Sequence, residues 1–317
     1  MIPKLSHILY GPEISIFHEF QKPPYGGGNQ FLMALKKELT RQGYDVGSNK
    51  IGKNTKVAMF NSFNFDANKL LKLSKKFNTR MVHRLAGPIG VYRGTDIEID
   101  RETERMNHEL ADATIFISQY SANKYKEIGL NYKNPTVILN STDPDIFNSK
   151  DRIPSPNGER KIKLIATAWS HNIKKGGPLL SWLDKNLDYS KYELTFVGRT
   201  NAEFKGAKLI DPVPSEELAK ILKQHDIYIA PSEDDPCSNA LVEALACGLP
   251  AVFRNSGGHP ELVGKAGEGF INEETALMSI DLVAKNIEGY RKSINIPTIS
   301  ETAKKYIEVL IPKNDNK

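Results

Sequence analysis

The sequence predicts an α/β protein with two doubly wound domains, each built around a parallel sheet. Short apolar runs alternate with amphipathic stretches along the whole chain, a pattern typical of strands that alternate with helices. A length of 317 residues suits two domains that each bury a core. The segment 148–160 is charged and carries two prolines and a glycine, which favours a linker. We therefore expect a first domain over 1–150 and a second over 151–297.

The first half is expected to contain five strands. Leu5–Tyr10 is an apolar run and is predicted to be the first buried strand, with a loop over 11–25 behind it. Phe31, Leu35 and Leu39 recur every four residues, which predicts an amphipathic helix that ends near Gly43. Further strands are expected at 57–60, 79–85, 113–118 and 136–139, and further helices at 67–77, 100–110 and 121–128.

The second half repeats the alternation after the linker. One helix should begin at Pro178, a favourable first-turn residue, and another should be capped by Ser215. A third helix follows Ser238. Strands are predicted at 163–167, 192–197, 209–210, 226–230, 251–253 and, as an edge strand, 270–271, and the last two helices at 275–290 and 300–310.

Composition and charge limit the kinds of partner. A formal net charge of +5 and a pI of about 8.9 favour anionic partners, either nucleotide phosphates or an acidic membrane surface. The sequence has no block of like charge and no interleaving of basic and aromatic residues, so no nucleic-acid partner is expected. It also lacks an apolar run of about 18 residues and a signal-peptide core, so a cytoplasmic location is expected.

The two cysteines, Cys237 and Cys247, are expected to be free thiols. The chain has no export signal, and neither cysteine has a histidine beside it in sequence. A disulfide framework and a closed zinc site are therefore both unexpected.

The stretch 231–264 carries the densest set of candidate site residues. Ser238 is a favourable N-cap, and the backbone amides of Asn239 and Ala240 would then point out of the positive end of the helix. Such a helix end is suited to phosphate. Glu243 lies one turn beyond Asn239 and therefore on the same helix face.

Loops on either side of that helix add further candidates. Asp235 is the last of three acids in the loop before it, and Gly258 and His259 follow in a glycine turn. Lys174 and Lys175 precede two glycines in the loop after the first strand of the second half. These residues offer cations for phosphate and a carboxylate for hydroxyl groups.

The first half offers two more places for a ligand. Gly27 and Gly28 lie in a glycine-rich turn before a helix, where a ligand can approach the backbone closely. His83 and Arg84 lie at the end of the strand predicted over 79–85, where open α/β sheets bind ligands. An ordinary glycine turn and a structural histidine are the alternatives.

The stretch 231–264 resembles the nucleotide-sugar site of glycosyltransferases with the GT-B fold, in particular glycosyltransferase family 4. The resemblance rests on an ordered pattern of ten residues, namely Pro231, Ser232, Asp235, Glu243, Ala244, Gly248, Pro250, Gly257, Gly258 and Glu261. It is strong over 163–264 and diffuse over the first half.

Two positions depart from the family pattern. Asp235 stands where the family usually has Glu. Trp169 or Ser170 stands where the family has an Arg that accompanies the loop lysine. The side chains that could supply the second charge are Lys174, Arg199 and Arg254.

The resemblance implies a retaining glycosyltransferase that moves a hexose-type sugar from a nucleotide diphosphate sugar to a hydroxyl of a glycan, lipid-linked or other acceptor. It implies two Rossmann-like domains that face each other across a cleft, with the acceptor on the first and the donor on the second. The helix at 300–310 would pack back on the first domain. Same-face attack needs no protein nucleophile, so two carboxylates at glycosidase spacing are not required. The resemblance implies no divalent metal, and no cofactor is expected.

The resemblance also implies a role for each matched side chain. Lys175 would stabilise the diphosphate leaving group, Asp235 would bind hydroxyls of the sugar, and His83 would polarise the sugar or the phosphate. Glu243 would bind the ribose hydroxyls. The catalytic residues would be His83, Asp235 and Lys175, and the donor-binding residues Gly27, Gly28, Arg84, Lys174, Ser238, Asn239, Ala240, Glu243, Gly258 and His259.

Two alternatives stand beside this hypothesis. A degenerate GT-B protein would bind nucleotide sugars or act as a scaffold without transferring sugar, and the two departures favour it. A nucleotide-sugar epimerase would need further acid–base carboxylates, for which the sequence offers no constellation.

Overall fold

The computed structural model describes residues 5–22, 26–61, 66–156 and 158–312. Residues 23–25, at the end of the loop expected over 11–25, and Asn157, in the expected linker, lie outside the described residues. Two six-stranded sheets, both parallel throughout, carry helices in their connections. The predicted α/β class is therefore confirmed.

The first sheet has the strand order β2-β1-β3-β4-β5-β6. Its strands are β1 (Ile14–Phe17), β2 (Val46–Ser48), β3 (Val57–Phe60), β4 (Arg80–Leu85), β5 (Ala113–Phe116) and β6 (Pro135–Val137). The helices among these strands are α1 (Leu5–Tyr10), α2 (Gly27–Arg41), α3 (Ala67–Phe77), α4 (Ile89–Arg93), α5 (Glu98–Leu110) and α6 (Gln119–Glu127).

The second sheet has the strand order β12-β11-β10-β7-β8-β9. Its strands are β7 (Ile162–Ala168), β8 (Tyr192–Gly198), β9 (Lys208–Ile210), β10 (Ile227–Ala230), β11 (Ala251–Arg254) and β12 (Gly267–Phe270). A 3-10 turn at Ile173–Lys175 precedes α7 (Gly177–Asn186), and the later helices are α8 (Ser215–Lys223), α9 (Asn239–Ala246), α10 (His259–Val263), α11 (Glu273–Lys285), α12 (Ile287–Lys292) and α13 (Ile299–Leu310).

The chain divides into two compact units. The first comprises the described residues of Met1–Gln21, Asn29–Asn140 and Pro297–Lys317, and the second those of Lys22–Gly28 and Ser141–Ile296. Over the described residues, no helix combines the length and the apolar character needed to cross a bilayer.

The core of the first unit includes the last helix of the chain. Ile299, Ala303 and Tyr306 of α13 are buried in the same cluster as Ile14 of β1 and Phe31 of α2. The hydroxyl of Tyr306 accepts a hydrogen bond from Arg84 Nε at 2.9 Å. Helix α13 is therefore part of the first unit although it follows the second unit in sequence.

The core of the second unit lies between its sheet and two helices. Leu179 and Leu183 of α7 and Ile280 of α11 are buried with Leu164 of β7 and Val252 of β11. This packing fixes the carboxyl ends of the central strands, and the loops that follow them carry most of the candidate site.

The predicted strand at Leu5–Tyr10 is wrong, because this segment is helix α1, and β1 lies in the expected loop at Ile14–Phe17. Leu5, Ile8 and Leu9 are spaced by three and four residues, so the short run also matches a helical period. The strand that forms instead is almost entirely buried and pairs on both edges, with β2 and β3.

Three smaller differences occur in the second unit. The single helix expected at 275–290 is interrupted at Asn286, whose side chain accepts a hydrogen bond from Gly289 N and begins α12. Ser215 is the first residue of α8 and makes no capping hydrogen bond, since Pro214 precedes it in the cap position. The edge strand ends at Phe270, and Ile271 is exposed.

Candidate active site

The candidate site in the second unit lies at the carboxyl edge of its sheet. Parallel strands end at a common edge, so the loops after β7, β10 and β11 are brought together there. These loops hold the lysines, the acidic run and the glycine turn that the sequence singled out.

Ser238 caps helix α9. Its Oγ accepts a hydrogen bond from the Leu241 amide at 3.4 Å, and its backbone is extended, with φ −64° and ψ 104°. The carbonyl of Ser238 also accepts from the Val242 amide at 3.0 Å. Asn239 and Ala240 therefore form the first turn of α9, where the helix dipole favours an anion.

Glu243 is a buried acid without a partner among the described residues. Its residue is 8 % exposed, and within the described residues its carboxyl group makes no hydrogen bond or ion pair. Burial is the sole cause that raises its pKa, to about 8. A buried carboxyl without donors is costly, so hydroxyl groups brought by a ligand would stabilise its ionised form.

Asp235 and Lys175 form an ion pair, with Lys175 Nζ 2.7 Å from Asp235 Oδ2. Asp235 is 7 % exposed. Burial by itself would raise the pKa of Asp235, but the charge of Lys175, the neighbouring His259 and the hydrogen bonds to the carboxylate together hold that pKa below its ordinary value. The carboxylate therefore stays ionised and ready to accept hydrogen bonds.

The whole acidic loop is neutralised in this way. Glu233 pairs with Arg254 at 3.0 Å, and Asp234 pairs with Lys174 at 2.7 Å, one residue from the Asp235 pair. Each of three successive acids thus meets a cation from a different position. The sequence showed the acids and the bases, but the pairing between them is a tertiary contact that their spacing does not encode.

The glycine turn after β11 holds the acidic loop through its backbone. Gly258 N donates to the Asp235 carbonyl at 2.9 Å, and Ser256 Oγ accepts from Asp234 N at 2.9 Å. Gly257 has φ +64°, and a Cβ on it would lie 2.3 Å from the Asp235 carbonyl oxygen. This position therefore requires glycine for its conformation and also for its space.

Gly257→Ala is expected to destabilise the protein by more than left-handed strain alone, because the added methyl group would push Asp235 away. The matched control is Gly129→Ala, with φ +82° and nothing within 4 Å of the added Cβ. We expect the control to cost about 1–2 kcal/mol and Gly257→Ala to cost about 1–3 kcal/mol more, as measured by urea unfolding. Equal losses in the two variants would contradict the close approach.

The side chain of His259 links the loop after β10 to the end of β11 through hydrogen bonds. It is fully buried, its Nδ1 donates to the Arg254 carbonyl at 3.2 Å, and its Nε2 accepts from Ser232 Oγ at 3.1 Å. Burial lowers its pKa, which favours the neutral ring. Both ring nitrogens are occupied, and the backbone amides of Gly258 and His259 donate to the carbonyls of Asp235 and Ser256. The contact of these two residues with a donor stays a prediction.

The glycine-rich turn contributes to the second unit at one position. A Cβ on Gly27 would lie 2.4 Å from Asn239 Cβ, and one on Gly26 would lie 4.0 Å from the Trp169 ring. Gly28 has nothing within 4 Å. Gly27 is therefore the glycine whose missing side chain permits a close approach to the first turn of α9.

In the first unit, His83 is fully buried and stacks on Phe60 with ring centres 4.3 Å apart. Asn107 Nδ2 donates to His83 Nδ1 at 3.1 Å, so the proton belongs on Nε2, which is buried without a partner. Burial lowers the pKa of His83 to about 3. The ring is neutral and lies within the sheet, and its predicted role as a polarising group remains a prediction.

Arg84 is buried among neutral groups in the same unit. Besides the Tyr306 hydroxyl, Asn140 Oδ1 accepts from Arg84 Nη2 at 2.8 Å, and the Phe31 ring centre lies 4.8 Å from the guanidinium carbon. These contacts fasten α2 and α13 to β4. Arg84 therefore has a structural function, and its contact with a donor stays a prediction. The hydrogen bond with Tyr306 could not be predicted from the sequence, which showed only that Tyr306 lies on an apolar helix face.

Cys237 and Cys247 are both free and buried, as the sequence predicted. Among the residues that the structure describes, no group of three or more His, Cys, Asp or Glu side chains is placed to hold a metal ion.

Solved structures with the same architecture identify the fold. The sucrose-phosphate synthase of Thermosynechococcus elongatus superposes with a TM-score of 0.68 at 14% identity, over 94% of each chain. Alr3699/HepE of Anabaena, in complex with UDP and glucose, superposes with a TM-score of 0.68 at 15% identity, over 95% of this chain and 100% of that one. The fold is therefore that of the GT-B glycosyltransferases.

Two comparisons of the sequence point in the same direction as the fold. Residues 185–295 match the family described as Glycosyl transferases group 1. A probable sucrose-phosphate synthase of Thermosipho melanesiensis is 23% identical over 323 aligned residues, which span 94% of this chain and 71% of the relative. The segment 185–295 of the second unit is therefore similar to the group 1 glycosyltransferases.

Proposed function

We propose that this protein is a retaining, family 4-like glycosyltransferase that transfers a hexose from a nucleotide diphosphate sugar to a hydroxyl group without a metal ion. The second unit would bind the donor and the first unit the acceptor, a glycan or a lipid-linked sugar. Similarity to the group 1 glycosyltransferases over residues 185–295 supports sugar transfer from a nucleotide sugar, and the stereochemistry, the sugar class and the independence of metals are proposed in addition.

The observation that carries the proposal is the buried, unpartnered carboxyl group of Glu243 on the helix capped by Ser238. The positive end of α9 suits a phosphate, and Glu243, one turn further on, suits hydroxyl donors. A nucleoside diphosphate presents both groups at about this spacing, with the ribose hydroxyls beside the phosphates. The same pair of features has no structural purpose that the described residues reveal.

Lys175 and Asp235 support the transfer step. The developing charge on the leaving diphosphate requires a preplaced cation, and Lys175 is held in position by its ion pair. Asp235 is kept ionised and can accept hydrogen bonds from sugar hydroxyls. In a retaining reaction by same-face attack, the donor phosphate would itself take the proton of the acceptor, which requires no further carboxylate.

A solved neighbour and the surface charge favour particular partners. The complex of Alr3699/HepE with UDP and glucose favours a UDP-hexose as the first donor to test. Helix α3 carries four exposed lysines, Lys69, Lys72, Lys75 and Lys76. Their positive charge supports peripheral contact with an acidic membrane surface. A cytoplasmic location is proposed with it.

The direct test is a thermal-shift panel with UDP, GDP, ADP and their hexose derivatives. A ligand at about 100 times its Kd should stabilise the protein by about 2.7 kcal/mol, a shift of several degrees. Stabilisation by none of them would contradict nucleotide-sugar binding. The panel is repeated with EDTA, and a response lost on chelation would overturn metal independence.

Turnover distinguishes the enzyme from a degenerate binding protein. Incubation with the stabilising nucleotide sugar should release the nucleoside diphosphate slowly by hydrolysis and faster with an acceptor. Proton NMR of the product should show the anomeric configuration of the donor. Tight binding with no release would favour the binding subunit instead, and an inverted product would contradict the retaining mechanism.

A further inference from the structure

A cavity of about 380 Å³ lies in the second unit between the loop after β7 and the loop after β8. Its wall includes Ser170, Asn172 and Lys175 from the first loop and Arg199 and Thr200 from the second. The acid Glu203 and further neutral polar side chains also line it, so cations outnumber acids around one space. Lys175 connects this space to Asp235 in the acidic loop. This composition suits an anion.

Arg199 is held at the edge of this cavity by two contacts. Its backbone amide donates to the Ala168 carbonyl at 2.8 Å, which fixes it beside the end of β7. Its guanidinium carbon lies 4.7 Å from the centre of the Trp169 ring. Stacking uses the face of the guanidinium group, so the N–H donors around its edge stay available to a ligand.

Arg199 forms no ion pair among the described residues, and Glu203, an acid that lines the same cavity, is exposed. Lys174, Lys175 and Arg254, the other cations of the neighbouring loops, each pair with an acid of the loop after β10. Within the described ranges, no ion pair and no side-chain hydrogen bond involves Arg199, and its side chain is exposed. A ligand anion would therefore meet this charge without first breaking a pair.

We propose that Arg199 binds the diphosphate of the donor at this cavity, together with Lys175, and that Trp169 is its positioning residue. A nucleoside diphosphate carries more than one negative charge, whereas the charge of Lys175 is already shared with Asp235. The planar, multiply donating guanidinium group suits two phosphate oxygens at once. The proposal rests on the proposed function for the identity of the ligand.

The experiment compares Arg199→Gln with Lys205→Gln, a matched variant that removes the same charge from an exposed position of the same unit. Calorimetry measures the affinity for inorganic pyrophosphate, for the one of UDP, GDP and ADP that binds the wild-type protein best, and for the corresponding nucleoside. Arg199→Gln should lower the affinity for pyrophosphate and for the nucleoside diphosphate about 10-fold or more. The affinity for the nucleoside should be unchanged. Lys205→Gln should leave all three unchanged.

Trp169→Leu tests whether Trp169 affects diphosphate binding through Arg199 or only through the stability of the loop. It should weaken diphosphate binding in the wild-type background and have no further effect in the Arg199→Gln background, because the two residues then act through one contact. Arg199→Lys should retain part of the affinity, since it keeps the charge without the planar stack.

The outcomes separate this proposal from the proposed function. Unchanged diphosphate affinity in Arg199→Gln, an equal loss in Lys205→Gln, or an equal loss for the nucleoside would each overturn the role of Arg199 while nucleotide binding stands. Pyrophosphate binding that depends on Arg199 without any nucleotide binding would support the anion site and overturn the proposed function. Failure of the wild-type protein to bind any of the ligands would overturn both.

Discussion

Glu243→Gln is expected to stabilise the unliganded protein at alkaline pH and to weaken nucleotide binding, two effects of opposite sign. The folded protein holds the pKa of Glu243 at about 8, against an ordinary value of 4.5. The folded state therefore binds more protons than the unfolded state between these values, and its stability falls as pH rises through that range. Glutamine removes this penalty.

The gain should be a few kcal/mol at pH 9 and close to zero at pH 4, since one pKa unit corresponds to about 1.4 kcal/mol. Urea unfolding at both pH values measures it. Glu217→Gln, at an exposed position of α8, is the matched control and should change stability little at either pH. A Glu243→Gln protein that is less stable than wild type at pH 9 would show that an internal partner holds the carboxylate.

For binding, the same substitution should weaken the affinity for the nucleoside diphosphate by about 10- to 100-fold, because a charged acceptor of two hydroxyl hydrogen bonds is lost. Hydroxyl donors favour the ionised carboxylate, so binding to the wild-type protein below pH 8 should release a proton. Calorimetry in two buffers of different ionisation enthalpy detects that proton. The release should be absent in Glu243→Gln, and unchanged affinity in this variant would contradict the ribose role.

Lys175→Met is expected to impair both folding and transfer. The Asp235 carboxylate would remain buried without its cation, which costs about 3–5 kcal/mol for fully buried pairs. A smaller loss is expected here, because the Lys175 side chain is 27% exposed. Loss of a preplaced charge at the leaving group should lower kcat/KM by about 100-fold or more.

The pH dependence identifies the pair. The pKa of Asp235 is below its ordinary value in the folded protein, so the pair adds stability above the unfolded pKa of 3.8 and loses it as pH falls through the folded pKa. Without Lys175, burial would raise that pKa, and the variant should lose stability as pH rises from 4 to 7. The wild-type protein should lose less over the same range, because Glu243 lowers the stability of both proteins there and only the variant has the added loss from Asp235.

Two further variants complete this test. Lys174→Met, which removes the neighbouring pair with Asp234, should cost less, because both of those side chains are more exposed than Asp235. Lys175→Met combined with Asp235→Asn should recover stability and not transfer. Full recovery of transfer in the double variant would show that neither charge is needed for the reaction.

Local signals were sufficient to predict most elements of the fold. Helix α3 has the bounds predicted for it, because Asp66 caps it and Leu70 and Leu71 mark its inner face. The Ser238 cap was also predictable, since it depends on residues three positions apart. The segment Leu5–Tyr10 was not, because a six-residue run with four apolar or aromatic residues is compatible with a strand and with a helix.

The site was predictable in its members but not in their contacts. Lys175 and Asp235 are 60 positions apart, and their pairing follows from the order of β7 and β10 in the sheet. Trp169 was noted for the residue it replaces, whereas its use as a platform for Arg199 depends on two loops that follow paired strands. The burial of His83 likewise depends on the pairing of β4 with β3, in which His83 lies opposite Phe60.

The place of α13 in the first unit has a consequence for synthesis on the ribosome. Its core residues are translated after the entire second unit, so the hydroxyl that Arg84 binds and the carbonyl that Arg80 binds, on Tyr306 and Val309, appear last. The second unit can complete its core while the first still lacks a helix and exposes apolar surface. The order of completion is thus the reverse of the order of synthesis, and the nascent first unit is the part that would depend on chaperones.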